Sequence, residues 1–299
     1  MSKTIVLGIW NKAPFRGSIF KCVDDLNKFL KENDFTIQYD IMQIDPDKLD
    51  SSILPDVFIL DGGEDIDPAR YGERNISSYF SKVRDDIEFK LTKFMHGYKV
   101  RLSGICRGHQ LLNVFFGGNL FQDIHHQKCV PEGLNHHSGH KVKTIGSKKK
   151  LALYNFVGDY PFSVSSLHHQ AVRYPPKNFY NSLVWRVRKN NKMGNVIEGI
   201  EKYNGTVRGL QCHPEFRGYP KDGLLFAYLM HIDNFITDEA MQINNELVEE
   251  RFKSLIHEKK VKNYTRSPRI SSSIIREAPQ RISRRLNYDE LREERLRRR

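Results

Sequence analysis

The segment from Arg101 to Asp123 constrains this chain most. An apolar run with Val100 and Leu102 ends in Ser103-Gly104-Ile105-Cys106-Arg107-Gly108. Leu111, Leu112, Val114 and Phe115 then follow at helical spacing. The pattern predicts a strand, a sharp turn at a cysteine, and a helix. Glycines on both sides of Cys106 suit a strained turn with close backbone approach. Such a turn sets the sulfur at the mouth of a sheet. The N-terminus of the next helix offers free N–H groups and a positive dipole end, which favour a thiolate. Taken alone, a lone cysteine also fits a small buried thiol.

The rest of the chain alternates in the same way. Thr4 to Ile9 reads as a strand, Ser18 to Glu32 as a helix with Phe20, Val23, Leu26, Phe29 and Leu30 on one face, and Thr36 to Ile41 as a strand. Val57 to Leu60 is a short buried strand running into Asp61-Gly62-Gly63, and Asp85 to Met95 is a helix. Further strands are expected near Ser163 to Ser166, Leu183 to Arg188, Val196 to Glu201 and Val207 to Gln211, with a closing helix over Leu224 to Phe235. This βαβ order predicts an α/β fold: a doubly wound, mostly parallel sheet flanked by helices, with ligands at the strand C-terminal ends.

A nucleophilic cysteine needs a base, and the base needs an orienter. The segment Val207-Arg208-Gly209-Leu210-Gln211-Cys212-His213-Pro214-Glu215 supplies both types. In an extended chain His213 and Glu215 share a face and Cys212 points away. The carboxylate can then fix the imidazole, which can take the thiol proton. Pro214 marks a strand end or edge.

These residues, with four further motifs, resemble the class I glutamine amidotransferases, and more closely their γ-glutamyl-γ-aminobutyrate hydrolase branch. The branch pattern GGxDxxPxxY is matched by Gly62 to Tyr71, RDxxE by Arg84 to Glu88, ICRGxQxxNVxxGGxLxQD by Ile105 to Asp123, and HHQAV by His168 to Val172; QxHPE is matched by Gln211 to Glu215. The resemblance implies a flavodoxin-like fold and a set of roles. Cys106 is the nucleophile, His213 the base and Glu215 its orienter. Backbone N–H groups of the Gly62-Gly63 loop and of Arg107 form the oxyanion hole. Gln110, His169 and Gln170 line the glutamyl pocket. Cys212 and Arg101 depart from the usual apolar or aromatic residues at their positions, which bears on packing and leaves the triad intact.

The expected activity is cysteine-dependent hydrolysis of a γ-glutamyl amide through a glutamyl-thioester. One alternative is a glutaminase subunit that passes ammonia to a separate synthetase partner. Another is a non-catalytic scaffold, or a protein associated with nucleic acid, that keeps the fold. The substrate is then a small γ-glutamyl compound or glutamine, with no cofactor and no metal. His125, His126, Cys129, His136, His137 and His140 lack convincing structural-zinc spacing and read as polar loop histidines over the site mouth. Cys22, Cys106, Cys129 and Cys212 are irregularly spaced, which fits no disulfide framework and suits a reducing, cytoplasmic setting. No apolar run is long enough for a membrane span, and Met1 to Trp10 lacks a signal pattern.

Charge divides the chain. Residues 259–299 carry 14 Lys and Arg against 5 Asp and Glu, so +9 of the whole chain's +12 lies there. Residues 1–235 read as the catalytic domain. Residues 236–299 read as a helical, then basic extension, with Tyr264 to Arg281 as a linker. The basic run suits a non-specific contact with a polyanion.

Overall fold

A computed structural model describes residues 3–130, 136, 139–146, 151–189 and 192–235; for residues 187–189 and 192–193 it describes the backbone alone. The expected extension over 236–299, the Lys148-Lys149-Lys150 turn and His137 lie outside the described residues. Among the described residues eleven strands form one mixed sheet. Its parallel half runs in the order β2 (Ile37–Ile44), β1 (Lys3–Trp10), β3 (Val57–Leu60), β4 (Arg101–Ile105) and β11 (Val207–Leu210). An antiparallel extension continues through β10 (Lys192–Lys202), β9 (Phe179–Lys189), β6 (His140–Thr144) and β7 (Phe162–Val164). The short strands β5 (Asn119–Phe121) and β8 (Ala171–Tyr174) pair with each other, and β8 also pairs with β10.

The central strands β3, β4 and β11 are covered on both faces, so they need few exposed polar residues and no alternation. Val57, Phe58, Ile59 and Leu60 are all buried, as are Leu102, Ser103, Gly104 and Ile105. Alternation along β4 shows the double winding. Gly104 faces the helix α3 (Arg107–Phe115), where a Cβ would meet the Gly108 carbonyl carbon at 2.4 Å. Ser103, one residue earlier, faces the other side and donates to the Leu229 carbonyl at the end of α5 (Asp222–Leu229). On the α5 side lies α1 (Arg16–Glu32), which buries Ile19, Cys22, Val23, Leu26 and Leu30. On the α3 side lies α2 (Lys82–Gly97), whose N-terminus is capped by the Ser81 side chain.

The α/β class and the order of elements agree with the sequence reading. One closing helix over 224–235 was expected, and the structure divides it: α5 ends at Leu229 and a 3-10 turn covers Ile232–Asn234. Between them His231 takes a left-handed φ of 54°, so the regular helix cannot continue. Strands β5, β6 and β8 and the helix α4 (Ala152–Val157) have no counterpart in the sequence reading. They are short, and their pairing or packing partners are distant in sequence. Among the described residues no helix is long and apolar enough to cross a membrane.

Candidate active site

Cys106 stands between β4 and α3 with φ 51° and ψ −104°. A non-glycine residue rarely takes such a backbone. The turn is held on three sides. The Cys106 N–H donates to the Leu210 carbonyl on β11 at 2.8 Å, and the Gly108 N–H donates to the Asp61 carbonyl at 3.1 Å. Gly108 is pressed against β3 so closely that a Cβ would lie 2.3 Å from the Leu60 carbonyl oxygen. Cys106 is 6 % exposed, and its thiol receives the Gln211 side-chain amide at 3.5 Å.

His213 and Glu215 meet the cysteine from the neighbouring strand end. The His213 Nδ1 lies 2.7 Å from a Glu215 carboxylate oxygen, which sets Nδ1 as the protonated nitrogen. Cys106 lies close enough to His213 to act on the charge of its ring. Burial works against the imidazolium, but the Glu215 carboxylate and Cys106 outweigh it and raise the His213 pKa well above its ordinary value. Phe216 stacks on the imidazole at 4.7 Å, and the edge of Phe15 meets it at 5.9 Å. The His213 N–H donates to Ser165 Oγ at 2.8 Å.

One expectation needs correction. An extended segment was to place His213 and Glu215 on one face, but β11 ends at Leu210 and Pro214–Phe216 form a 3-10 turn. Proline fixes the φ of the first turn residue, and the turn brings the Glu215 side chain back to Nδ1. The pairing arises by a different local geometry from the one expected.

The Gly62-Gly63 loop faces this group. A Cβ on Gly62 would lie 2.7 Å from the His213 Cε1, so the loop backbone and the imidazole are close neighbours. None of the N–H groups of Gly62, Gly63 and Arg107 has a hydrogen-bond partner among the described residues. The loop is fastened by a buried ion network. Arg84 donates to Asp61 at 2.9 Å, to the Gly62 carbonyl at 2.8 Å, to Glu64 at 2.7 Å and to Glu88 at 2.8 Å. The other oxygen of Glu88 takes Arg107, which also pairs with Asp85. The RDxxE segment thus ties the Gly62-Gly63 loop to the residue after Cys106. Gly63 has φ +149°, and a Cβ there would meet the Arg84 guanidinium at 1.9 Å.

The three residues read as a glutamyl pocket divide. Gln110 is buried and donates to the Gln170 carbonyl at 3.2 Å and the Gln211 side chain at 3.1 Å, which links it to Cys106 through Gln211. The Gln170 side chain donates to Ser78 Oγ at 2.6 Å, so its amide is occupied inside the protein. His169 lies 3.0 Å from Asp65 and 3.8 Å from Asp123. Gln211, Asp61, Ser165 and Phe15 were not singled out from sequence. Gln211 stands inside the quoted QxHPE segment, so its signal was present; Phe15 and Ser165 belong to no motif.

The histidines read as polar loop residues are corrected in part. His136 is fully buried, and His140 begins β6 with its side chain 6 % exposed. The masking partners are β9 and β10, far away in sequence, so local polarity carried no sign of it.

The sequence pattern of the peptidase C26 family matches residues 44–215. A Schizosaccharomyces pombe protein named "Putative glutamine amidotransferase PB2B2.05" is 33% identical over 196 residues, which span 60% of this chain and 72% of that protein. A Lactococcus lactis protein named "Putative glutamine amidotransferase-like protein YvdE" is 31% identical over 166 residues, spanning 54% of this chain and 66% of that protein. Among solved structures, the glutaminase domain of Trypanosoma brucei CTPS with bound acivicin aligns with a TM-score of 0.50 at 14% identity, over 77% of this chain and 94% of that one. At that identity the likeness is one of fold.

Proposed function

This chain belongs to the peptidase C26 family of class I glutamine amidotransferase-like proteins, and we propose that it hydrolyses a γ-glutamyl amide with Cys106 as nucleophile. The observation that carries this reading is the convergence of Cys106, His213 and Glu215 from two neighbouring parallel strand ends.

His213 takes the Cys106 thiol proton, the sulfur attacks the γ-carbonyl carbon, and the carbonyl electrons move to oxygen. The N–H groups of Arg107 and of the Gly62-Gly63 loop receive that oxyanion, each donor contributing about 3 kcal/mol. The imidazolium of His213 gives its proton to the leaving amine, and the C–N bond breaks to leave a thioester. Water then attacks the thioester as His213 takes its proton. Thiolate leaves, glutamate is released and the enzyme returns to its first state. Glu215 holds the imidazole in one orientation throughout. Gln110 touches the thiol only through Gln211, so its part is support of the nucleophile. A thiol nucleophile of this kind belongs in a reducing compartment such as the cytoplasm.

A conjugate is favoured over glutamine by the residues that carry the resemblance to the hydrolase branch: Arg84, Asp85, Glu88 and Arg107 form one network beside the nucleophile. The names of the two relatives favour the second reading, in which glutamine is the substrate and a synthetase partner takes the ammonia. Purified protein is to be assayed for amine release over a panel of γ-glutamyl amides that includes glutamine, beside Cys106→Ala. Turnover of a conjugate by the chain alone, lost in the variant with the fold intact, is the expected result. Glutamine hydrolysis that appears only with an added partner would favour the second reading. Wild-type turnover by Cys106→Ala would end both.

A further inference from the structure

Three imidazoles and one carboxylate meet inside the antiparallel half of the sheet. The Nε2 atoms of His136 and His140 each lie 3.1 Å from the same oxygen of Glu198, and the Nε2 of His168 lies 3.7 Å from it. The Nε2 atoms of His136 and His168 are 3.2 Å apart. His136 and Glu198 are fully buried, and the His168 side chain is 2 % exposed. The ring of His140 stacks on His136 at 4.1 Å.

Hydrogen bonds alone serve this group poorly. The His168 Nδ1 lies 2.7 Å from the Gln170 carbonyl, which can only accept, so Nδ1 carries the proton. With its proton on Nδ1, the neutral imidazole presents Nε2 as a bare lone pair. That lone pair faces a carboxylate oxygen and another imidazole nitrogen. His136 has one Nε2 proton at most, and it can serve only one of its two neighbours there. Among the described residues the second Glu198 oxygen and the Nδ1 atoms of His136 and His140 also have no hydrogen-bond partner. Lone pairs turned toward one another in a dry interior call for a cation between them.

The spacing suits a metal. The donor atoms of His136, His168 and Glu198 form a triangle with sides of 3.1, 3.2 and 3.7 Å. The edge of a tetrahedron with bonds of about 2.1 Å is about 3.4 Å. The fixed Nδ1–H to a backbone carbonyl on His168 is also the usual outer partner of a metal-bound imidazole.

We propose that His136, His168 and Glu198 bind a divalent transition-metal ion of the zinc class, with His140 donating to the Glu198 carboxylate from outside. Two imidazoles and one carboxylate suit zinc and its neighbours and do not suit the hard ions magnesium and calcium. The site is separate from Cys106 and is connected to it. Gln170, whose carbonyl fixes His168, also accepts from Gln110, which binds Gln211 beside the thiol. The Gln211 N–H donates to the Glu198 carbonyl at 2.8 Å. An ion at the histidines would therefore stiffen the strand segment that carries Gln211.

The test is metal retention by the full chain, loaded with zinc sulfate and passed through a desalting column, with content measured by mass spectrometry of the element. One ion per chain is expected in the wild type and in Cys106→Ala, and less than a tenth of that in Glu198→Gln. A wild type that retains none, an ion lost in Cys106→Ala, or an ion kept in Glu198→Gln would each overturn the proposal. Should Glu198→Gln fail to fold, cobalt(II) added to the wild type decides. Strong visible d–d bands without a thiolate charge-transfer band support nitrogen and oxygen ligation at low coordination number. A thiolate band, or the weak spectrum of six-coordinate cobalt, refutes it.

Discussion

Replacing Arg84 by methionine tests how the oxyanion loop is held. Arg84 is 5 % exposed and makes four charged or polar contacts, with Asp61, Gly62, Glu64 and Glu88. Methionine fills similar space with no donor. Asp61 and Glu88 are then left in the interior, each without a cation that it now has. Breaking a buried ion pair by removing one partner costs about 3–5 kcal/mol. For a domain of this size, at about 2–4 °C per kcal/mol, that lowers the melting temperature by roughly 6–20 °C. Activity should fall beyond what the loss of folded protein explains, because the Gly62 carbonyl loses its anchor and the loop N–H groups lose their aim. Loss of one oriented donor corresponds to about a hundredfold in kcat, with KM little changed. Lysine at the same place keeps the charge but makes fewer directed contacts, so Arg84→Lys should fall between. Thermal unfolding by circular dichroism and steady-state amine release at a temperature where both proteins are folded give the two readouts. If Arg84→Met melts within 2 °C of wild type, as an order-of-magnitude bound on a negligible effect, and turns over normally, the network does not hold the loop.

Other outcomes follow from the same geometry. Gly108→Ala should cost about 3 kcal/mol or more, because its Cβ would lie 2.3 Å from the Leu60 backbone oxygen; Gly17→Ala, with nothing within 4 Å of its Cβ, should add about 0.5 kcal/mol, and denaturant titration compares them. Asp222 is buried beside Glu215, and burial is the main cause that raises its pKa to about 7. The native state therefore keeps a proton that the unfolded chain gives up near pH 4, so stability is full below about pH 4 and falls as pH rises to about 7. Asp222→Asn should remove that slope, and a melting series from pH 4 to 8 that runs parallel to wild type would refute the assignment. Removing residues 260–299 should leave turnover unchanged and abolish most salt-sensitive retention on RNA, since that stretch carries most of the net charge; lost turnover with RNA binding intact would contradict it.

Local sequence determined the parts of this protein that depend on neighbours along the chain. The cysteine turn was legible because glycines at 104 and 108 flank an apolar strand and a helical run, and the structure puts a backbone contact against each. The parallel strands were legible because burial on both faces leaves continuous apolar runs such as Val57 to Leu60. The charged residues of Arg84 to Glu88 stood out only as a motif. That they form one buried network from Asp61 to Arg107 depends on α2 lying against β4 and α3. The meeting of His213 with Glu215 needed a 3-10 turn where an extended segment was expected. The histidines are the clearest case. Each of His136, His140 and His168 stands in a polar stretch, and Glu198 stands on a strand 30 residues beyond His168. Their pairing across β6, β9 and β10 decides that they are buried together. Strand pairing between distant segments sets that neighbourhood, and the short-range periodicity of the chain has no means of encoding it.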